Sequence, residues 1–206
     1  MRRRALLLGF GALAALPACG TPSWAPDEDL ALRRYRHPGA PSLTLITVRN
    51  SATRSGAHTA LLISASERVL FDPAGTWTHP SIPERNDLLY GMSPEALDLY
   101  LSYHARESYF VQLQEIDVPA EVAEQAFALA RVRGPVGMAR CTIATAGILR
   151  ELPGFEGLPA TVHPAHLAHA FGRLPGVRER ELHEDDPDDG RAEILRSYTP
   201  LPAAGG

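Results

Sequence analysis

The chain has 206 residues, 45% hydrophobic and 21% charged, which is enough apolar material for one domain with a buried core plus terminal segments. Its formal charge is −4 and becomes more negative if Arg2, Arg3 and Arg4 leave with a leader, which argues against nucleic acid as a partner. All 20 basic residues are arginine, so a Schiff-base lysine, a phosphate-loop lysine and a Ser/Lys catalytic pair are excluded together.

Residues 2–4 are Arg-Arg-Arg, residues 5–16 form an apolar run, and Leu16-Pro17-Ala18-Cys19 follows: n-region, h-region and cleavage site in order. The run is too short to span a bilayer, which takes about 20 residues. Ala18 before Cys19, with Leu16 at minus three, resembles a lipoprotein signal box. It implies a signal peptide over 1–18 and Cys19 as the acylated first residue of an envelope lipoprotein. Such a protein is held on the periplasmic side by its acyl chains, each buried methylene contributing about 0.8 kcal/mol, and does not cross the membrane. Pro17 departs from the small residue usual at that place, so an ordinary signal-peptidase cut and a soluble product stay open. Arg3-Arg4 also partly fits a twin-arginine signal, which leaves the export route open.

Residues 19–41 are rich in Pro, Asp, Arg and Ala with little apolar periodicity, and read as a tether between anchor and domain. The domain is expected over 42–184. Residues 42–48 read as a strand buried on both faces, and 57–63 with 68–71 as an antiparallel hairpin turning at 64–67. Asp72-Pro73-Ala74-Gly75 then breaks the strand, and a loop runs through Asn86. Ser93-Pro94-Glu95 starts a helix with a capping hydroxyl, a proline at the first position and an acid facing the dipole. A strand over 109–116 and a helix over 119–133, closed by Gly134, come next.

After Gly134-Pro135-Val136-Gly137, Cys141 opens a helix whose apolar face carries Ala144, Thr145, Ile148, Leu149 and Leu152, and Pro153-Gly154 stops it. A short helix over 164–171 and a strand over 178–183 close the domain. Residues 185–206 are acidic, then proline-rich, and read as a loosely held tail.

The chemistry centres on Cys141. A thiol attacks as thiolate, and a helix N-terminus offers unpaired N–H groups and about half a positive charge where that anion forms. The same amides suit the oxyanion of a tetrahedral intermediate, with the Thr142 N–H as candidate donor. With only two cysteines, Cys19 and Cys141, no disulfide framework is on offer, and an idle thiol in an oxidising envelope is a liability. The bland alternative is a buried structural cysteine.

His58 is the candidate base, because a strand inside a hairpin would fix its ring. Asp72, at the hairpin's exit, is the candidate orienter, provided the register puts both residues on one face. Without that, His58 is a strand-edge histidine and Asp72 a turn residue bonding the amides of Ala74 or Gly75. His104 and Glu107 are reserve candidates for a third polar member.

Gly56-Ala57-His58 opening a strand, a second strand ending Leu70-Phe71-Asp72, and Cys141-Thr142-Ile143-Ala144 starting a helix resemble, over about residues 42–152, the circularly permuted papain-like superfamily of NlpC type. The resemblance implies an α+β fold in which a small antiparallel sheet packs against the cysteine helix. It further implies hydrolysis or transfer at an amide or ester carbonyl, with Cys141 as nucleophile and His58 as base, Asp72 being the weaker transfer. Cell-wall peptides and lipid acyl groups are the substrate classes it implies, with no cofactor. A catalytically inactive envelope module that keeps the fold for binding is the alternative.

Other signals carry less. His163, His166 and His169 are three apart, which drifts around a helix, so no metal site is expected there. The acidic run 184–190 looks calcium-like, but a loop counted from Asp185 would put Pro187 at a ligand position and Arg196 where the closing glutamate belongs. No serine lies in a Gly-x-Ser-x-Gly setting. Tyr90, Tyr100, Tyr103 and Tyr109 read as core or pocket wall.

Overall fold

A computed structural model describes residues 23–75 and 77–199. The expected signal peptide and Cys19 lie outside the described residues. In chain order the elements are α1 (Asp27–Arg33), β1 (Ser42–Asn50), β2 (Gly56–Ser64), β3 (Arg68–Phe71), β4 (Glu84–Arg85), β5 (Leu88–Leu89), α2 (Pro94–His104), β6 (Tyr109–Asp117), α3 (Ala120–Arg133), α4 (Cys141–Leu149), α5 (Pro164–Phe171), β7 (Arg178–Leu182), a 3₁₀ turn (Asp188–Gly190) and α6 (Arg191–Ser197). The class is α+β. The described strands form one antiparallel seven-stranded sheet in the order β4-β5-β3-β2-β1-β6-β7, wider than the small sheet expected.

Central β1 pairs along its length with β2 and β6, so its side chains are covered on both faces from Ser42 to Val48. Alternation then divides the core. Leu43 and Leu45 of β1 and Leu61 and Ile63 of β2 face α3, α4 and α5, packing on Ala126, Ala144, Ile148 and Phe171. Ile46, Ala60 and Leu62 face the other way, against Leu97, Tyr100 and Leu101 of α2. Helix α2 is set in place by Ser93, whose hydroxyl accepts from the Ala96 amide at 3.2 Å.

Two stretches expected to be loose are packed. From residue 23 the expected tether runs along the sheet's edge: Ala25 donates to the Glu84 carbonyl, and the Tyr35 carbonyl accepts from Arg68 at 2.8 Å. Trp24 lies under the Arg85 guanidinium at 4.6 Å. Edge strands offer unpaired amides and carbonyls, and this segment satisfies some of them. In the tail, Ile194, Leu195 and Tyr198 pack against the α2 side of the core. Their helical spacing was masked in the sequence by the acidic run just before them. No helix of the described residues is long and apolar enough to cross a membrane.

Candidate active site

The β2–β3 register pairs Leu61 with Phe71, so Asp72 falls level with Ala60, and His58 lies two residues along the same face. The hairpin therefore sends both side chains to the α2 side. His58 Nε2 donates to Asp72 Oδ1 at 2.5 Å, and the Tyr100 hydroxyl of α2 donates to the same oxygen at 2.9 Å. The Asp72 carboxylate is spoken for by these two donors and does not bond the turn amides. The Gly75 amide donates instead to the Asp72 main-chain carbonyl, and the Ala74 amide to the Asp87 carboxylate.

Helix α4 packs on the opposite face, yet its first residue reaches His58. Strand β3 ends at Phe71 opposite Leu61, so β2 from Gly56 to Ala60 has no ladder partner on that side. The α4 N-terminus occupies this notch. The Cys141 thiol lies beside the His58 ring and the Thr59 main-chain amide, near enough that the charge on each of the two side chains acts on the other. Two side chains from opposite faces thus meet around a shortened strand.

Gly56 permits the close approach at the entrance to this strand: a Cβ there would lie 2.5 Å from Pro164 Cβ and 2.6 Å from the Ala165 amide. Thr142 fixes the helix from beneath, its Oγ1 lying 3.1 Å from Thr59 Oγ1 and 3.8 Å from the Cys141 sulfur.

Charge in the cluster follows from burial set against pairing. Burial pushes the His58 imidazolium down, but the Asp72 charge and hydrogen bond, then the Cys141 sulfur, outweigh it and hold the ring's pKa at about 10. Burial pushes Asp72 up, and the His58 charge and hydrogen bond, with help from His104 and Tyr100, bring it net below its ordinary value. Burial likewise pushes the Cys141 thiol up, and the His58 hydrogen bond and charge carry it net down. The arrangement favours a thiolate beside an imidazolium.

Of the reserve pair, His104 joins the cluster and Glu107 does not. The His104 ring lies 4.3 Å from that of Tyr100 and is near-parallel to His58 at 6.1 Å. Its Nδ1–H donates to the Tyr100 carbonyl at 2.8 Å, and burial first of all lowers its pKa to about 4, so it stays neutral. Glu107 is exposed, and its amide donates to the Asp186 carbonyl.

Thr142, whose N–H is the expected oxyanion donor, is 0% exposed, and Cys141 before it is 7% exposed. Among the described residues no acceptor meets the amides of Cys141, Thr142 and Ile143, and no side chain caps α4.

Asp87, which is not among the candidates the sequence offers, braces the cluster from a turn. Asn86 and Asp87, with φ of 50° and 67°, make the two-residue turn between β4 and β5. From it the Asp87 carbonyl accepts from the Asp72 amide at 2.8 Å, while Asp87 Oδ2 accepts from Ala74 at 2.9 Å and from Val136, on the loop leading to Cys141, at 3.3 Å. One residue ties the Asp72 turn to the cysteine loop. Its sequence signal is the Asn86-Asp87 pair, which suits a tight turn, just before the apolar Leu88-Leu89-Tyr90.

In comparisons with known proteins, no family model, no curated protein and no solved structure matches the chain.

Proposed function

We propose that the protein is a cysteine hydrolase of permuted papain-like architecture, acting on an amide or ester carbonyl and held in the bacterial envelope through an acylated Cys19. The observation that carries this reading is the His58 ring, oriented by a buried, Tyr100-bonded Asp72 and set beside the Cys141 thiol at the start of α4. A structural thiol has no use for a histidine oriented by a buried carboxylate, nor for a strand cut short to admit it.

In the reaction the Cys141 thiolate attacks the carbonyl carbon, and the carbonyl oxygen becomes an oxyanion facing the Cys141 amide and the positive end of α4. The C–N or C–O bond breaks as the His58 imidazolium passes its proton to the departing amine or alcohol, leaving a thioester on Cys141. Neutral His58 then takes a proton from water, whose oxygen attacks the thioester. Acid is released, and thiolate and imidazolium are restored. Asp72 keeps the ring oriented with Nε2–H toward itself and Nδ1 toward sulfur throughout.

The test is trapping of the thioester by mass spectrometry after mixing the protein with a panel of acyl esters and cell-wall-type peptides. Acylation confined to the peptide that contains Cys141, and absent from His58→Ala, is the expected result. Hydrolysis that survives Cys141→Ser, or no adduct with either substrate class, contradicts the proposal.

A further inference from the structure

On the α2 face of the sheet, at the end away from His58, Arg68 lines a cavity of about 420 Å³, within the size range of small-ligand sites. Arg68 is only 6% exposed and is held from several directions. Its Nε donates to the Met92 carbonyl, its Nη1 lies 3.2 Å from His37 Nδ1, and Tyr35 stacks on the guanidinium at 4.9 Å. Its Nη2 has no partner among the described residues. A buried guanidinium pinned on one edge and unmet on the other is an uncommon expense in a native fold unless something meets it.

The rest of the cavity indicates what that is. Ser42, Thr44 and Ser64 are buried residues of the lining, and their hydroxyls make no hydrogen bond among the described residues. Arg180, on the rim, has no ion-pair partner there either. The other charges are committed: Arg178 is paired with Asp117 and Glu115, and Glu179 accepts from the amides of Gln112 and Gln114. Leu62, Leu97 and Leu113 supply an apolar wall. Glu95 and Asp98 of α2 and Glu115 of β6 also act on Arg68, and they disfavour a multiply charged anion such as phosphate.

We infer that this cavity binds a monocarboxylate with an apolar chain, its carboxylate on Arg68 and Arg180 and its chain along the leucine wall. Thr44 and Val48 are four residues apart on β1, which puts the cavity about 13 Å from the His58 level. The site is therefore separate from the thiol, and it holds whether or not Cys141 is a nucleophile.

Calorimetric titration of the full chain with octanoate, octanol and inorganic phosphate tests it. Saturable octanoate binding, at least tenfold tighter than octanol or phosphate, is expected. Arg68→Met should abolish it and Arg180→Glu weaken it about tenfold, while Cys141→Ser leaves it unchanged. Arg180 is exposed, so its variant decides the matter if Arg68→Met fails to fold. Octanol binding equal to octanoate, octanoate binding indifferent to Arg180→Glu, its loss in Cys141→Ser, or no saturable binding overturns the proposal.

Discussion

His58 and Asp72 lie 14 residues apart on a hairpin, and their side chains meet at 2.5 Å because the register makes them diagonal neighbours on one face. The carboxylate has little freedom beneath the ring: its side chain is 3% exposed, Tyr100 bonds the shared oxygen, and Gly75 closes over the other. That confinement makes the pair sensitive to changes that leave both residues in place.

Gly75→Ala is the sharpest of these. A Cβ at Gly75 would come within 2.1 Å of Asp72 Oδ2, so the carboxylate must turn away from His58. The imidazole then loses its largest stabilising partner. The His58 pKa, read by NMR titration, should fall from about 10 toward its ordinary 6.5, and turnover should drop on the order of 10²-fold or more, as when a positioned base is lost.

Asp87→Ala should separate positioning from chemistry. It removes the acceptor shared by Ala74 and Val136 while leaving Cys141, His58 and Asp72 unchanged. Each buried amide left unpaired costs about 1–3 kcal/mol. The thiol's alkylation midpoint should rise as the cysteine loop drifts from His58, and Asp87→Asn, which keeps an acceptor oxygen, should restore much of it. A midpoint identical in wild type and Asp87→Ala would show that the loop holds itself.

Much of this site was legible in the sequence, and the reasons differ by residue. Cys141 was placed at a helix start by the Gly-Pro loop before it and the apolar spacing after it, and Ser93 with Pro94 announced α2. Strand positions followed from branched apolar runs. What could not be read was anything that depends on where strands stop relative to one another. The notch beside β2 that receives the start of α4 exists because β3 ends level with Leu61. From sequence Tyr100 reads as core or pocket wall, which it is by burial. Its bond to Asp72 needed the helix's rotation over the sheet, although its spacing of four from His104 is a signal that both face one way. The residues read as a tether looked structureless because they satisfy the sheet's edge and have no periodicity of their own.

Tyr100→Phe removes a hydroxyl that donates to a buried carboxylate, and should destabilise the fold by about 1.5–3 kcal/mol, measured by denaturant melts. The thiol should be little affected, because an Asp72 deprived of one donor holds the His58 proton at least as firmly. Loss of stability with a retained alkylation profile is the expected pattern.

Stability should also depend on pH in a defined window. Asp72 has a lowered pKa, so its contribution is present above its ordinary value of 3.8 and is lost as pH falls through the folded value. His58 has a raised pKa, so its contribution is complete below 6.5 and is lost as pH climbs to about 10. Chemical denaturation across pH should therefore show a maximum between about 4 and 6.5. Asp72→Asn should flatten the alkaline limb, because it removes the partner that raises His58.

The most direct test of the central claim is the pH dependence of Cys141 alkylation by iodoacetamide, read by mass spectrometry on the peptide that contains it. The wild-type midpoint should lie clearly below the free-cysteine value of about 8.5. In His58→Ala it should rise to that value or above, because burial remains when the imidazole is gone. A wild-type midpoint at or above 8.5, or one that His58→Ala does not move, would contradict a thiolate–imidazolium pair at this site.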